Sequence, residues 1–252
     1  MMIIWYLKLL AAGALTAFLL AAALQCQQRL RAARYCFGGG FCCCLALFLW
    51  QWLRLGEPPF GNMFQVLSFL PLVLPPLYVL EYRHGDRLLL LPFALVGAIA
   101  LTGVLFMDPD LSWRRAPALQ SLWFVPHVAS YILSYALAAV AAMVTLTAFR
   151  RRERASAAER LSRLAFAFMT FGLVSGALWA EAAWGSYWSW DIKESWSLIT
   201  WLLYATYFHL RKQPGGRRAA NWCNLIAFAA LLVTFLVVNL LPKIDSLHSY
   251  AQ

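Results

Sequence analysis

Two histidines and a run of tryptophans are the residues with which this sequence can do chemistry. His127 lies in W-F-V-P-H-V-A-S-Y, and His248 lies in I-D-S-L-H-S-Y. Five of the twelve tryptophans fall within residues 184–201, which we call the tryptophan-rich segment. Neutral imidazole is a good iron ligand, and two imidazoles can occupy opposite axial positions of one iron porphyrin. Flat aromatic side chains at this density suggest a surface for a large flat ligand, although tryptophan also gathers at membrane–water interfaces for structural reasons.

Membrane-spanning helices are the elements predicted to position these residues. The chain is 62% hydrophobic and 13% charged, whereas a typical soluble domain is about 25% charged. Since only helices and closed barrels satisfy their backbone groups in lipid, the sequence predicts an all-α, polytopic membrane protein that forms a single domain over residues 1–252. Eight apolar segments can be drawn: 3–25, 36–53, 63–80, 88–107, 123–148, 164–183, 197–210 and 222–241.

The first and seventh segments need separate interpretation. The first segment is longer than a signal-peptide core and lacks a basic leader and a cleavage site, so we expect a retained span. The seventh segment is short for a bilayer. Either its helix begins inside the tryptophan-rich segment, or the membrane is thinner there.

The distribution of positive charge predicts the orientation in the membrane. The net charge is +10, and fifteen lysines and arginines lie in one set of alternating connectors. The opposite set holds five: Arg54, Arg114, Arg115, Lys193 and Lys243. The positive-inside rule therefore places both termini and the tryptophan-rich segment outside the cytoplasm. Basic residues confined to short connectors also argue against nucleic-acid binding.

A further histidine is predicted to lie deeper in the membrane. His209 follows Trp196 by thirteen residues, which is about 20 Å along a helix. Ala205 and Thr206 are small and would leave room beside it for a flat group. An ionisable residue at membrane depth is a functional hypothesis by default. The alternative is a histidine that reaches toward the cytoplasmic headgroups.

The charged residues of the tryptophan-rich segment allow two interpretations. Asp191 and Glu194 share a face if the segment is helical, and they could orient an imidazole or bind a partner's cation. They could also belong to a solvated helix face, which the sequence favours for Lys193 and Glu194. No hydrolytic triad, phosphate loop or H-E-x-x-H motif is present, so no catalytic residue is assigned.

The tryptophan-rich segment resembles the WWD signature of heme-handling membrane proteins. Its sequence, W-G-S-Y-W-S-W-D-I-K-E-S-W-S-L-I-T-W, is most similar to that of the CcsA (ResC) subunits of System II cytochrome c synthases. The CcmC family shares W-G-x-Y-W-x-W-D but typically lacks the K-E-x-W continuation and the last two spans. The resemblance extends from the third segment to the C-terminus. Ile192 stands where proline usually follows the aspartate, and Gln65 stands where glutamate is common.

The resemblance implies a role in cytochrome c biogenesis. It implies that His127 and His248 are axial ligands of heme b on the outer face, and that His209 ligates heme within the membrane. The opposite ligand of His209 would come from a CcsB (ResB) partner. The implied heme-binding residues of the tryptophan-rich segment are Trp184, Tyr187, Trp188, Trp190, Asp191 and Trp196. Together with its partner, the chain would carry heme outward and present it for covalent attachment to C-x-x-C-H of apocytochrome c. Synthase activity is therefore expected of the complex only.

The expected partners and location follow from the same resemblance. They are a CcsB/ResB-type subunit, apocytochrome c, heme, a thiol-reducing thioredoxin-like protein and the lipid bilayer, with no nucleic acid. The expected location is the bacterial inner membrane rather than a thylakoid membrane. One alternative is a CcmC-like module that passes heme to a separate chaperone or ligase. The K-E-S-W continuation and the eight segments argue against it. Another alternative is a membrane subunit whose tryptophans only anchor it at the interface.

Overall fold

The described part of the chain folds into eight α-helices. The computed structural model describes residues 2–109 and 117–237, and these residues contain no strand. This confirms the predicted all-α class. The helices are α1 (Met2–Cys26), α2 (Leu30–Leu55), α3 (Met63–Tyr82), α4 (Leu90–Phe106), α5 (Phe124–Ala148), α6 (Arg154–Trp184), α7 (Ile192–Lys212) and α8 (Arg217–Leu232). Short 3-10 helices cover Arg87–Leu89 and Pro117–Gln120, and a π-helical turn, Val233–Val237, continues α8.

Most of these helices have the length and composition of a membrane span. Among the described residues, seven helices are long and apolar enough, and α7 is the exception. Its 21 residues nevertheless extend about 31 Å, which is close to the thickness of a bilayer core. Because α7 begins at Ile192, the short seventh segment is explained by a helix that starts inside the tryptophan-rich segment. The chain is an integral membrane protein.

Helix α6 begins ten residues earlier than its apolar pattern predicts. It contains 31 residues and is about 46 Å long, so it exceeds the hydrocarbon core by several turns. The added turns carry Glu159 and Arg163, whose side chains form an i,i+4 ion pair at 2.6 Å. Hydrophobicity marks only the part of a helix that faces lipid or core, whereas charged residues continue the same helix into the polar region.

The chain divides into two compact units, Met1–Arg114 and Arg115–Gln252. In the first unit, α1 packs on α2 and α4, and α3 packs on α4 and α2. Phe18 contacts Phe37, with ring centroids 4.9 Å apart, and Tyr78 contacts both Phe37 and Phe93. One shared domain over residues 1–252 stays a prediction.

Two glycines make room for the Phe18 ring, which is fully buried. A Cβ atom at Gly97 of α4 would lie 2.5 Å from this ring, and one at Gly40 of α2 would overlap it as well. The close approach of these helices to α1 therefore depends on the missing side chains. Gly39, the neighbour of Gly40, faces open space.

In the second unit, α5 packs along α6, α7 packs along α8, and α8 also contacts α5. At one end, Arg217 Nη1 donates to the Ala148 carbonyl oxygen at 3.3 Å. At the other, the rings of Tyr135 and Phe235 are 5.2 Å apart. Helix α8 therefore runs antiparallel to α5 and ends on the side where α5 begins.

Polar contacts hold α7 and α8 against α6 near the start of α6, at the end of the unit where α5 finishes. Arg211 of α7 forms an ion pair with Glu159 of α6 at 2.7 Å. Asn224 Nδ2 of α8 donates to Ser162 Oγ of α6 at 2.6 Å. Because buried polar groups are costly unless paired, these contacts determine which faces of the helices meet.

Replacing Gly40 with alanine is expected to destabilise the first unit. The added methyl group must displace the buried Phe18 ring, so we expect a loss of about 1–3 kcal/mol in the free energy of unfolding. The matched control is Gly39→Ala, which is expected to be neutral or to stabilise by up to about 1 kcal/mol through helix propensity. Denaturant unfolding in detergent measures both variants. Equal stability of the two would contradict the packing argument.

Candidate functional site

His127 lies in the first turns of α5, with its ring held against α6. Its Nδ1 atom is 2.8 Å from the Gly172 carbonyl oxygen. The imidazole stacks on Trp179, with centroids 5.4 Å apart and an interplanar angle of 27°, and it meets Tyr131 edge-on at 5.1 Å. Because a carbonyl oxygen only accepts hydrogen bonds, Nδ1 carries the proton and the lone pair is on Nε2. Metal-binding histidines are oriented in this way.

Glycines of α6 provide the space for this ring. A Cβ atom at Gly176 would lie 2.5 Å from His127 Nδ1, and one at Gly172 would lie 2.7 Å from the Tyr131 ring. The two glycines are one turn apart, so they form a shallow groove on the face of α6 toward α5. The groove brings the imidazole within hydrogen-bonding distance of the helix backbone.

Trp179 connects His127 to the tryptophan-rich segment, and this role was not predicted from the sequence. Its side chain is 2% exposed, and its Nε1 donates to the Ala118 carbonyl oxygen at 2.7 Å. Its ring lies 4.8 Å from that of Trp184, at an angle of 60°. The structure thus brings His127 and Trp184 together through a third aromatic ring. The signal was available, because Trp179 precedes Trp184 by little more than one helical turn.

The loop between α6 and α7 presents the remaining aromatic residues. Tyr187 is 57% exposed and Trp190 is 70% exposed. Trp188 packs edge-on against Trp190 with centroids 5.8 Å apart. The Trp188 Nε1 atom is buried and has no acceptor among the residues that the structure describes. A buried donor of this kind is available to an acceptor such as a ligand oxygen or a water molecule.

Trp190 has a strained backbone that the start of α7 stabilises. Its φ angle is +60°, a conformation that costs a bulky residue about 1–3 kcal/mol. Asp191 and Glu194 form a capping box: the Asp191 side chain accepts from the Glu194 N–H, and the Glu194 side chain accepts from the Asp191 N–H at 3.2 Å. Glu194 also accepts from the Ser189 N–H at 2.8 Å. These contacts brace both sides of Trp190.

Burial of Glu194 corrects one prediction. Its residue is only 9% exposed, so a solvated helix face is the wrong interpretation for this carboxylate. Its burial is offset by three backbone and side-chain donors from the loop. Lys193 is half-buried rather than fully solvated. Asp191, expected to contact an imidazole or a partner's cation, has a local role as the helix cap.

Trp196 lies at the same level as His127 along the helix axes. The Trp201 Nε1 atom of α7 donates to Thr170 Oγ1 of α6 at 3.0 Å. Since α6 and α7 form a hairpin, Trp196 lies about 7 Å nearer the loop than this bond. That position is level with Gly172 and Gly176, which hold His127. The half-buried Trp196 is therefore at the height expected of a residue that contributes to the same site.

His209 lies far from His127. It is exposed on α7, near Arg211, which pairs with Glu159 of α6. Glu159 marks the position of His209 along α6, and Gly172 marks that of His127. Thirteen residues separate Glu159 from Gly172, so the two imidazoles are about 20 Å apart along the helix axis. Its exposed neighbours on the same face of α7 are Ile199, Leu202 and Thr206. His209 therefore lies on an outward-facing stripe at the other end of the unit.

His248 lies outside the described residues. The direction of α8 is nevertheless informative. Phe235 contacts Tyr135, which is eight residues, or about 12 Å, from His127 along α5. The described chain therefore ends on the side of the unit that holds His127.

A comparison of the sequence with known families gives a clear assignment. Residues 60–245 match the family described as Cytochrome C assembly protein. The chain belongs to the cytochrome c assembly protein family. The match includes α3 to α8, His127 and the tryptophan-rich segment, whereas His248 lies three residues beyond it.

Relatives within the cytochrome c assembly family are named CcsA. "Cytochrome c biogenesis protein CcsA" of Chlamydomonas reinhardtii is 34% identical over 228 residues, which cover 81% of this chain and 64% of the relative. CcsA of Synechococcus elongatus is 33% identical over 277 residues, covering 82% of this chain and 83% of the relative. The chain thus spans a little under two thirds of the algal relative. These similarities confirm the resemblance to CcsA subunits, and family membership places the chain in cytochrome c maturation.

A solved structure shares the fold of this family member. The "Cytochrome c Heme Lyase CcmF" superimposes with a TM-score of 0.69 at 23% sequence identity. The aligned region covers 92% of this chain and 46% of that chain. The fold is therefore shared with part of a longer chain.

The two departures from the family pattern have structural explanations. Ile192 is the first residue of α7, and the Asp191 cap starts the helix without a proline. Gln65 is 2% exposed, and its Oε1 accepts from the Gly61 N–H at 2.7 Å. Its own N–H donates to Asn62 Oδ1 at 2.9 Å. Gln65 and Asn62 therefore cap the start of α3.

Removal of the Glu194 carboxylate is expected to loosen the loop around Trp190. Glu194→Ala leaves the Ser189 and Asp191 N–H groups without their acceptor, and we expect a loss of about 1–2 kcal/mol in stability. Protease sensitivity of the 185–191 loop and thermal unfolding measure the effect. The control is Glu153→Ala, because Glu153 is exposed at the start of α6 and its side chain forms no cap there. Equal protease sensitivity in both variants would contradict a bracing role for Glu194.

Proposed function

We propose that this chain binds heme b beside His127 and the tryptophan-rich segment and presents it for attachment to apocytochrome c. Heme is the substrate, and His127 and His248 are its axial ligands. The observation that carries the proposal is the hydrogen bond from His127 Nδ1 to the Gly172 carbonyl oxygen. It places the lone pair of the neutral imidazole on Nε2, the arrangement found in metal-binding histidines.

The surroundings of His127 fit a porphyrin. The buried Trp179 ring supports the imidazole from behind. The half-buried Trp184 packs on Trp179 and offers an aromatic face, and such faces stack on flat ligands. The buried Nε1 of Trp188 is a donor suited to a carboxylate such as a heme propionate. The exposed rings of Tyr187 and Trp190 would line the edge of the site. Trp196 and Asp191 contribute through α7, Asp191 as its cap.

The course of α8 supports His248 as the second ligand. Helix α8 runs toward the end of the unit where α5 begins, and Phe235 packs on Tyr135. Thirteen residues separate Phe235 from His248, and an extended chain of that length reaches about 43 Å. The distance from Tyr135 to His127 along α5 is only about 12 Å.

Positioning would be the main contribution to the attachment reaction. Each cysteine S–H of apocytochrome C-x-x-C-H adds across one heme vinyl group, forming a C–S bond and a C–H bond, so no oxidant is required. Holding both thiols beside the vinyl groups makes the addition effectively unimolecular. The apocytochrome histidine then replaces one axial imidazole. A CcsB/ResB-type partner completes the synthase, and a thioredoxin-like protein keeps the thiols reduced.

His209 is proposed to bind heme during its passage across the membrane. Its exposure on α7 suits a ligand shared with a second subunit, because a partner can supply the opposite side of the iron. Ala205 is half-buried and Thr206 is exposed beside it. A histidine that reaches to the headgroups would show the same exposure, so the two interpretations differ only in heme binding.

The orientation follows from the positive-inside rule. We propose that both termini, His127 and the tryptophan-rich segment face the periplasm of a bacterium, with the chain in its inner membrane. The alternative location is a thylakoid membrane, because one CcsA relative comes from Chlamydomonas reinhardtii.

Absorption spectra of the purified chain test the ligand assignment. We expect the wild type to show the signature of bis-histidine heme, and His127→Ala and His248→Ala each to lose at least about tenfold in retained heme, since one axial bond is removed. The matched control is His84→Ala, because His84 is an exposed loop residue. An unchanged spectrum in His127→Ala would contradict the proposal, and a change in His209→Ala alone would move the stable heme to α7. A wild type without heme absorbance would favour a purely structural subunit.

Co-expression distinguishes attachment from presentation. The second candidate function is a CcmC-like module that binds heme and passes it to a separate chaperone or ligase. The chain is expressed with a CcsB/ResB-type partner and an apocytochrome c in a host without other maturation systems. We expect covalent heme on the apocytochrome. Bound heme without covalent product would instead support the CcmC-like function.

A further inference from the structure

A cavity in the first unit is lined by arginines and has no part in the heme site. Its volume is about 270 Å³, and it lies where α1 ends, α2 begins and α3 is followed by the Arg87–Leu89 helix. Its polar lining consists of Arg31, Arg34, Arg87, Tyr78, Tyr82 and Gln25.

The lining is positively charged and has no carboxylate. Within residues 2–109, none of the three arginines takes part in an ion pair. Asp86 precedes Arg87 and is close enough to act electrostatically on Tyr78 of the lining, but it is not itself a lining residue, and its side chain accepts from the Leu88 N–H at 3.0 Å. One carboxylate leaves the three arginines with a net positive charge. Three guanidinium groups without an ion-pair partner attract an anion, because clustered positive charge is self-repelling.

Hydrogen bonds hold the side chain of Arg34 and the backbone of Arg87. Arg34 Nη1 donates to the Tyr82 hydroxyl at 3.0 Å, and its guanidinium lies over the Tyr82 ring. The buried Gln25 donates from Nε2 to the Arg87 carbonyl oxygen at 2.9 Å. The Arg34 guanidinium and the backbone of Arg87 are therefore positioned before any ligand binds, which lowers the entropy cost of binding.

The start of α2 adds further positive potential. Arg29, the residue that precedes the helix, provides no side-chain cap, and the first turn contains no acidic residue. The first N–H groups of α2 therefore contribute partial positive charge on the side of the cavity that Arg31 lines.

We infer that this cavity binds the phosphate group of an anionic phospholipid. Guanidinium forks match phosphate oxygens, and basic pockets at helix ends of membrane proteins recognise lipid headgroups. A volume of about 270 Å³ suits a headgroup, whereas pockets for drug-sized ligands are about 300–1,000 Å³. Val79, Leu80 and Leu88 are exposed on the adjoining elements and offer a surface for the acyl chains. The inference is independent of the proposed heme site, and α1 and α2 precede the family match at residue 60.

Native mass spectrometry of the full chain tests this inference. The detergent-purified protein is incubated with equal amounts of phosphatidylglycerol and phosphatidylcholine that carry the same acyl chains. We expect the wild type to retain phosphatidylglycerol preferentially, and Arg31→Gln and Arg87→Gln each to lower its retention by a factor of about five. The matched control is Arg83→Gln, because Arg83 is an exposed arginine that follows α3 and does not line the cavity. It is expected to retain the lipid as the wild type does.

Several outcomes would overturn the inference. They are equal retention of the two lipids by the wild type, and unchanged retention in the Arg31→Gln/Arg87→Gln double variant. Displacement of the lipid by inorganic phosphate would assign the cavity to the free ion instead. Arg87→Lys keeps the charge and separates a binding defect from misfolding. Greater retention in Arg87→Lys than in Arg87→Gln supports the inference, and a loss in the Arg83→Gln control as large as that in Arg87→Gln contradicts it.

Discussion

The hydrogen bond between the His127 imidazole and the Gly172 carbonyl is the interaction on which the rest of the site depends. A carbonyl oxygen has two lone pairs, so Gly172 can accept from the imidazole without giving up its helical hydrogen bond. In a low-dielectric interior this bond fixes the tautomer and the ring orientation together. The 2.8 Å distance is possible only because Gly176 has no side chain where the ring lies. Helix packing therefore determines which imidazole nitrogen is basic.

The tryptophan-rich segment combines exposed aromatic rings with a rigid base. Exposure of Tyr187 and Trp190 would leave the loop mobile if nothing braced it, and Trp190 adds a strained backbone. The buried Glu194 supplies the compensation, because one carboxylate accepts hydrogen bonds from Ser189 and Asp191. Rigid placement of aromatic surface is what a site requires when its contribution is positioning. The charges in this segment thus support the site rather than form it.

Polar groups at the helix ends have different roles in the two units. In the second unit, Glu159 pairs with Arg163 and Arg211, so its charges are neutralised locally and join α6 to α7. In the first unit, the arginines around the cavity have no ion-pair partner in residues 2–109. The arginines around the cavity, in contrast, keep a positive electrostatic potential that attracts an anion.

The sequence alone determined the helical class, the approximate positions of the spans and the residues of interest. Apolar runs of bilayer length indicate a lipid environment, and the tryptophan-rich segment resembles the signature of related heme-handling proteins. The limits of α6 and α7 were less predictable, because charged and capping residues continue a helix past its apolar part. The carboxylate of Glu194 was predicted to be solvated, since local sequence does not show which loop atoms will surround it.

Only the tertiary structure decided how the residues of the site act together. It selected Trp179 as the ring between His127 and Trp184, it separated His209 from His127, and it collected Arg31, Arg34 and Arg87 around one cavity. The physical reason is that a helix presents each side chain in a direction set by its register, whereas the partner of that side chain depends on another helix that is remote in the chain.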